Sequence, residues 1–277
     1  MIIILLKKRS GGAEMETRGI LAAMEAAERE AAQLMLYAHG VLAECKTGHR
    51  DVVTEYDRRV QALLIERLGA ACPGARFFCE ENDRHDELNA AQLFIIDPID
   101  GTMNFVRHMN HSCISAAYWR GGVPAAAAIY NPYADEMFTA LRGGGAYLNG
   151  RPIRVDDSPL SETLVCCGTA PYREELTADT FRLMELAYRA SLDIRRQGPA
   201  ELDLCSVAAA RAGAYCELSL SLWDYAAGAL LVEEAGGRCT RVDGSPLPYD
   251  GGKSSILAGG QRAWADFRAA MENEVRR

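Results

Sequence analysis

The chain has 277 residues, of which 49% are hydrophobic and 25% are charged. This balance excludes extensive disorder and supplies enough apolar side chains for one large layered fold or for two fused halves. The net charge of −8 argues against a nucleic-acid partner, because phosphate backbones are held by clusters of Lys and Arg. A small phosphate remains a compatible ligand if bound cations reverse the local field.

The cysteines and the N-terminus bear on location. Nine cysteines are scattered from Cys45 to Cys239 without a C-x-x-C pair, which predicts a reduced, cytoplasmic protein. The apolar residues 1–6 are too few for a signal peptide or a membrane span, and no other run approaches the ~20 apolar residues that a spanning helix needs. We therefore expect no membrane partner. Residues 1–14 are expected to form a loose tail ahead of an alternative start at Met15.

Helical spacing dominates the first part of the chain. Apolar residues recur every three or four positions from about residue 16 to residue 44, which predicts one long amphipathic helix. Residues 46–50 are typical of an exposed turn. A second helix follows Thr54, whose hydroxyl can accept hydrogen bonds from the free N–H groups of the first turn.

Short strands come next. Residues 76–79 form a predicted strand that ends at Glu80 and Glu81, and residues 93–96 form another that ends at Asp97. Between about 112 and 155, strand-forming residues alternate with Gly and Asn turns, which predicts an antiparallel meander.

The second half has an α/β pattern. A predicted strand at 163–167 is accompanied by predicted helices at about 177–190, 201–212 and 224–235. No linker separates the halves. We therefore expect one fold over residues 15–277, with subdomains at about 15–157 and 158–277 that share an extensive interface.

Acidic residues follow two of the predicted strands. Asp97 and Asp100 stand three residues apart at the end of one strand, and Glu80 follows the other. Gly101 allows the backbone to approach a ligand closely. The three carboxylates can converge as oxygen ligands for Mg²⁺. The alternative is that they are solvated turn residues.

Asp224 is a further candidate ligand. It follows an apolar run and opens a predicted helix, a position typical of an N-cap that accepts hydrogen bonds from free N–H groups. The two roles are compatible, since one carboxylate oxygen can cap the helix while the other binds a metal.

Together these segments resemble the inositol monophosphatase family. Residues 97–105, DPIDGTMNF, resemble its first signature, and residues 223–228, WDYAAG, with residues 234–237, EAGG, resemble its second. Glu80-Glu81 and the segment DVVTEYD at 51–57 are also similar to the family pattern. The resemblance extends from about residue 16 to about residue 265.

The resemblance implies a layered α-β-α-β-α sandwich and a lithium-sensitive, Mg²⁺-dependent phosphatase that is usually a homodimer. Glu80, Asp97 and the Ile99 carbonyl would hold one Mg²⁺, while Asp97, Asp100 and Asp224 would hold a second. A third, weaker metal position would lie near Glu80 and Glu81, to give two to three ions per site. The reaction would then need no side-chain nucleophile, because metal ions can activate water for direct attack on phosphorus.

The resemblance also implies roles around the metals. Thr102 and Asp57 would orient the attacking water together with Glu80, and the N–H groups of Gly101 and Thr102 would face the phosphate. The remaining implied positions toward the substrate are Lys46 on a loop, Gly198, Ala200, Glu217 and Asp224.

Two features bear on the alcohol that is released. Residues 198–201, GPAE, depart from the usual G-[ST]-A-A, and Pro199 removes a backbone donor. Asn104 stands where relatives that act on adenosine 3′,5′-bisphosphate tend to carry an acid. A small sugar or cyclitol phosphate is therefore the expected partner, with inositol monophosphate favoured.

Other substrates of the same superfamily stay open. They are fructose 1,6-bisphosphate, histidinol phosphate and a 3′,5′-bisphosphate nucleotide. A catalytically inactive binding protein with this fold is the alternative outside enzymes, but such a protein should have lost a metal carboxylate, and all four are present.

Overall fold

The computed structural model describes residues 2–48, 51–81 and 86–275, with side chains described for 15–46, 52–81 and 86–274. The elements of the first half are α1 (Ile2–Leu36), β1 (Ala43–Gly48), β2 (Asp51–Thr54), α2 (Glu55–Ala71), β3 (Arg76–Cys79), β4 (Gln92–Asp100), α3 (Thr102–Val106), β5 (Cys113–Arg120), β6 (Val123–Asn131), β7 (Glu136–Leu141), β8 (Gly145–Leu148) and β9 (Arg151–Ile153). Those of the second half are β10 (Leu164–Cys167), α4 (Thr177–Ala190), β11 (Asp193–Arg195), α5 (Ala200–Ala208), β12 (Ala214–Leu220), α6 (Ala226–Glu234), β13 (Arg238–Thr240), β14 (Ser254–Gly259) and α7 (Gln261–Val275).

The first two helices differ from the sequence expectation at their ends. Helix α1 already begins at Ile2, so residues 2–14, which were expected to form a loose tail, are its first part. It ends at Leu36 and not near residue 44. The chain then passes Gly40, which has a left-handed φ of 60°, and enters the hairpin of β1 and β2. Thr54 caps α2 as predicted, accepting from the N–H groups of Tyr56 and Asp57.

A seven-stranded sheet forms the first half. Its strand order follows the chain from β3 to β9, with β3 and β4 parallel and the other neighbours antiparallel. The meander predicted for residues 112–155 is therefore confirmed. Helices α1 and α2 cover one face of this sheet.

A five-stranded sheet forms the second half, in the order β11-β10-β12-β14-β13. Helices α5 and α6 lie between the two sheets, and α4 and α7 cover the outer face of the second sheet. The adjacent Cys166 and Cys167 illustrate this layering, since they point to opposite faces of β10 and join different hydrophobic clusters.

The order of layers is therefore helix, sheet, helix, sheet, helix, and the predicted fold class is confirmed. The boundary at residues 157/158 stays a prediction. No helix among the described residues is long and apolar enough to cross a membrane.

Candidate active site

One cavity of about 470 Å³ lies where the two halves of the chain meet. Acidic groups from both halves line it: Glu80 after β3, Asp97 and Asp100 from β4, and Asp224 just before α6. The remaining lining residues are Val52, Ile99, Gly101, Thr102, Met103, Asn104, Pro171, Tyr172, Arg196 and Gly198. The fold thus brings together four carboxylates that are far apart in sequence.

A bulge in β4 directs two of these acids. The strand does not stop before Asp97 as predicted but continues to Asp100. Asp97 pairs with Ser115 and Asp100 with Cys113, so β4 carries one residue more than β5 between these pairs. The Asp97 carboxylate accepts the N–H of Ile99 at 3.1 Å, which holds it within the bulge.

Asp100 is held from the second half of the chain. Its carboxylate accepts the N–H groups of Glu201 at 2.7 Å and Ala200 at 3.3 Å. Ala200, implied as a substrate contact, is buried and its N–H serves Asp100.

Asp224 lies in a 3₁₀ turn, Leu222–Asp224, and its carboxylate accepts the N–H of Ser221 at 2.6 Å. The prediction that Asp224 caps α6 is wrong, because that helix begins two residues later, at Ala226. The side chain that accepts the first free N–H groups of α6 is Glu201, which the sequence analysis had noted only as a departure from the family pattern.

Burial and mutual repulsion raise the pKa values of the three aspartates Asp97, Asp100 and Asp224. Burial is the main cause for Asp97, followed by the charges of Glu80, Asp100 and Asp224. Burial likewise raises the pKa of Asp224, with Glu80 and Asp100 adding to it. The pKa of Asp100 is raised by burial and lowered in part by its bond from the Glu201 N–H. Crowded acids of this kind are stabilised in their charged form by a bound cation.

The donors fit a hard divalent cation. Four carboxylates and the Ile99 carbonyl are oxygen ligands, which cations such as Mg²⁺ and Ca²⁺ prefer. Within the described residues, no three acidic, thiol or imidazole side chains already enclose a common point as metal ligands. The fit therefore rests on the chemistry of the donors and on their shared cavity.

Thr102 and Asp57 form a connected pair beside the carboxylates. The Thr102 hydroxyl lies 3.2 Å from Asp57 Oδ1 and 3.0 Å from the Ile99 carbonyl. Asp57 is fully buried and accepts both the N–H and the hydroxyl of Thr54. Burial raises its pKa to about 6, although the bonds from Thr54 oppose the shift.

Lys46 neutralises two acids at the edge of the site. Its ammonium lies 2.9 Å from Glu80 Oε1 and also contacts Glu81 Oε1. Burial lowers the pKa of Lys46, but the two carboxylates outweigh it and raise the pKa overall. Glu81 points toward Lys46 and away from the cavity wall, and burial together with the Glu80 charge raises its pKa to about 7.

Glu217, implied as the contact for substrate hydroxyls, lies behind the wall. It is buried and does not line the cavity. Its Oε1 accepts the N–H of Ala170 at 2.8 Å, and its Oε2 accepts the Tyr215 hydroxyl at 2.7 Å. Burial raises its pKa, and these two bonds oppose the shift. In this structure Glu217 supports the segment that carries Pro171 and Tyr172.

Pro199 packs against Gly101, which lines the cavity. Gly101 has a left-handed φ of 86°, and a Cβ there would lie 2.6 Å from the Pro199 ring, so only glycine fits under that ring. Asn104 donates to the carbonyls of His111 and Gln197, which fixes the chain next to Gly198.

Sequence reasoning missed the wall residues Pro171, Tyr172 and Arg196. The Arg196 guanidinium donates to the Thr169 hydroxyl at 3.2 and 3.0 Å. The only sequence signal that could have indicated Arg196 as a wall residue is the pair Arg195-Arg196 shortly before residues 198–201. No sequence signal indicates Tyr172, because it lies on a loop without a regular pattern.

Comparisons with known proteins agree with this arrangement. An inositol-1-monophosphatase of Rhizobium meliloti is 37% identical, with 82% of this chain and 85% of that protein covered. A Neisseria meningitidis protein named putative Nus factor SuhB is also 37% identical, over 79% of this chain and 85% of its own. The solved structure of the extragenic suppressor protein SuhB from Bartonella henselae is 30% identical and superposes with a TM-score of 0.85, covering 91% of this chain and 98% of that chain. Because the inositol monophosphatase family model also matches residues 16–276, this chain belongs to the inositol monophosphatase family and is a phosphatase.

Proposed function

We propose that the chain hydrolyses inositol monophosphate, or a closely similar sugar phosphate, with Mg²⁺ as its metal ion. The observation that carries the proposal is the single cavity lined by Glu80, Asp97, Asp100 and Asp224 from both halves of the chain. Bound Mg²⁺ would polarise the phosphate and lower the pKa of a water molecule to make it a nucleophile.

Thr102 and Asp57 would then orient the attacking water and accept its proton. Thr102 has one hydroxyl hydrogen, which it can donate to Asp57 or to the Ile99 carbonyl, so its oxygen can accept a hydrogen bond from water. As the water attacks, its proton would pass to the Thr102 oxygen while the Thr102 hydroxyl proton passes to Asp57. With a pKa of about 6, Asp57 is largely ionised at neutral pH, which favours donation of the Thr102 hydroxyl hydrogen to Asp57. The pair therefore acts as a general-base relay.

Size and polarity favour a small polyol phosphate. A volume of about 470 Å³ suits one phosphorylated ring, and the relative from Rhizobium meliloti is named inositol-1-monophosphatase. Fructose 1,6-bisphosphate, histidinol phosphate and a 3′,5′-bisphosphate nucleotide stay open as alternative substrates. The reason is Pro199, which departs from the family pattern and packs against Gly101.

The proposal extends to a lithium-sensitive homodimer in the cytoplasm. The family resemblance supports lithium inhibition and the dimer, and the free state of the nine cysteines supports a reducing compartment. Light scattering of the purified chain measures the assembly, and a mass of about 60 kDa, twice the 30.2 kDa chain, is expected.

The test is phosphate release from a panel of the four substrate classes with Mg²⁺. We expect the highest kcat/KM on inositol monophosphate, loss of activity in excess chelator, and inhibition by Ca²⁺, whose looser coordination does not match octahedral Mg²⁺ geometry. Full turnover in chelator would exclude the metal mechanism. A preference for another class would change the substrate and leave the chemistry in place.

A further inference from the structure

Glu201 joins the two elements that hold Asp100 and Asp224. It lies at the start of α5 and is fully buried. Its backbone N–H donates to Asp100 at 2.7 Å. Its side chain reaches α6, where Oε2 accepts the Gly228 N–H at 2.7 Å and Oε1 accepts the Ala227 N–H at 3.3 Å.

The carboxylate is matched by donors. Besides the two N–H groups, the Ser115 hydroxyl of β5 lies 3.4 Å from Oε1. A Cβ on Gly228 would lie 2.4 Å from Oε2, so the glycine is what lets the carboxylate reach the backbone of α6. A group with three converging donors is fixed in place.

The connection matters because of what lies on either side of it. Helix α6 has no side-chain cap of its own at Tyr225, and Asp224 immediately precedes that residue. Helix α5 supplies the two N–H groups that orient Asp100. Glu201 therefore links α5, whose N–H groups hold Asp100, to the start of α6, which follows Asp224.

We propose that Glu201 is a positioning residue that sets the affinity for the metal held by Asp97, Asp100 and Asp224. The inference rests on the proposed function. Groups that orient metal ligands typically change metal affinity 10- to 100-fold when they are removed.

The experiment compares Glu201→Ala and Glu201→Gln with the wild type. We expect the Mg²⁺ concentration for half-maximal activity to rise about tenfold or more in Glu201→Ala, while kcat at saturating Mg²⁺ changes much less. Glu201→Gln keeps one carbonyl acceptor for the Gly228 N–H, so its Mg²⁺ requirement should fall between the other two. Calorimetric titration with Mg²⁺ alone, in the absence of substrate, should give the same ranking of affinities.

Asp203→Asn is the matched control. Asp203 is a buried acid on the same helix, but it accepts from Gln197 and contacts neither Asp100 nor α6 through a described hydrogen bond. Its Mg²⁺ requirement should change far less than that of Glu201→Ala even if its thermal midpoint falls, because the Asp203 charge acts on Asp100 only through space.

The outcomes separate the two claims. A wild type without Mg²⁺-dependent phosphate release would refute the proposed function. An active wild type whose Glu201 variants unfold at lower temperature but keep its Mg²⁺ affinity would refute only the positioning role. If Glu201→Ala does not fold, the affinity of Glu201→Gln decides the matter by the same criterion.

Discussion

Asp97 and Glu28 are both buried acids in the first half of the chain. Asp97 lies in strand β4 of the seven-stranded sheet, and Glu28 lies in helix α1, which covers that sheet. Asp97 lines an open cavity together with three further carboxylates. Glu28 is fully buried, and within the described residues neither of its carboxyl oxygens has a hydrogen-bond partner. Burial is the largest cause of a raised pKa for both.

The difference teaches that burial alone does not make a site. The acids around the cavity can exchange their protons for a cation that enters from solvent, so the energy of crowding them is recovered as metal affinity. Glu28 does not line this cavity, and its burial beneath the helix favours the protonated carboxyl. The acids of the active site differ from Glu28 in two respects: they line an open cavity, and several of them line it together.

The largest effect expected from this contrast is that of Asp97→Asn. Asp97 is assigned to both metals, so the change should lower kcat by on the order of 10³-fold, equivalent to about 4 kcal/mol of lost transition-state stabilisation. Removing one of several crowded charges should also leave the metal-free protein as stable as the wild type or slightly more so. Phosphate-release kinetics and the thermal midpoint with and without Mg²⁺ measure both effects.

Glu28→Met is the control for that experiment, because it alters a buried acid that does not line the cavity and should keep kcat unchanged. Near-normal turnover by Asp97→Asn would overturn its assignment to the metals. An equal loss in both variants would show that burial, and not position at the cavity, determines the effect.

Glu217→Gln tests a third kind of buried acid, one that is sealed but fully bonded. The amide keeps one acceptor for the Ala170 N–H and the Tyr215 hydroxyl, so one charge-assisted bond worth roughly 1.5–3 kcal/mol is lost. We expect kcat/KM to fall about 10- to 150-fold, with the loss differing between substrates because the Tyr172 segment moves.

Tyr215→Phe is the matched control, since it removes one donor and keeps the carboxylate. Its effect should be smaller than that of Glu217→Gln. A uniform loss over inositol, fructose and nucleotide phosphates would contradict a role for Glu217 in selection.

The sequence predicted the individual elements and the candidate acids from local signals, whereas the order of the layers came from the family resemblance. Helical and strand periodicity located α4, α5 and α6 to within a few residues, and DPIDGTMNF placed Asp97, Asp100 and Thr102 together. Both signals are contained in short stretches of chain.

What the sequence could not predict depends on contacts between distant segments. The cap of α6 comes from Glu201, which lies in the preceding helix, and a helix start read from its own neighbours pointed to Asp224 instead. The family resemblance implied that Glu217 contacts the substrate, and in this structure its carboxylate accepts the Ala170 N–H of the segment 168–172. The end of α1 was missed because residues 43–48 pair with residues 51–54 as a hairpin, a contact that the helical pattern of residues 37–44 does not reveal.

The smallest effect belongs to Glu28, and it concerns stability. Glu28→Met replaces two unpartnered buried oxygens by an apolar chain of similar size, which should raise the free energy of unfolding by about 1–3 kcal/mol at neutral pH. For a chain of this size that corresponds to a rise in the thermal midpoint of roughly 2–4 °C per kcal/mol.

Glu30→Met is the control for helix propensity, because Glu30 is an exposed acid two residues further along the same helix. It removes an ion pair with Arg67, but a pair in contact with solvent contributes little to stability. The thermal midpoint of this variant should therefore change little. A rise equal to that of Glu28→Met would show that methionine stabilises α1 at any position.

The pH dependence of the gain in Glu28→Met identifies its cause. The folded pKa of Glu28 lies well above the ordinary value of 4.5, so the folded state binds a proton more tightly than the unfolded state does. The stability that this proton contributes is complete below about pH 4.5 and is lost as the pH rises through the folded pKa. The advantage of Glu28→Met over the wild type should therefore be smallest in acid and grow toward neutral pH, while the shared acids of the cavity cancel in the comparison. Urea unfolding of both proteins across this range measures the difference. An advantage that stays constant with pH would mean that better packing, and not the buried acid, stabilises the variant.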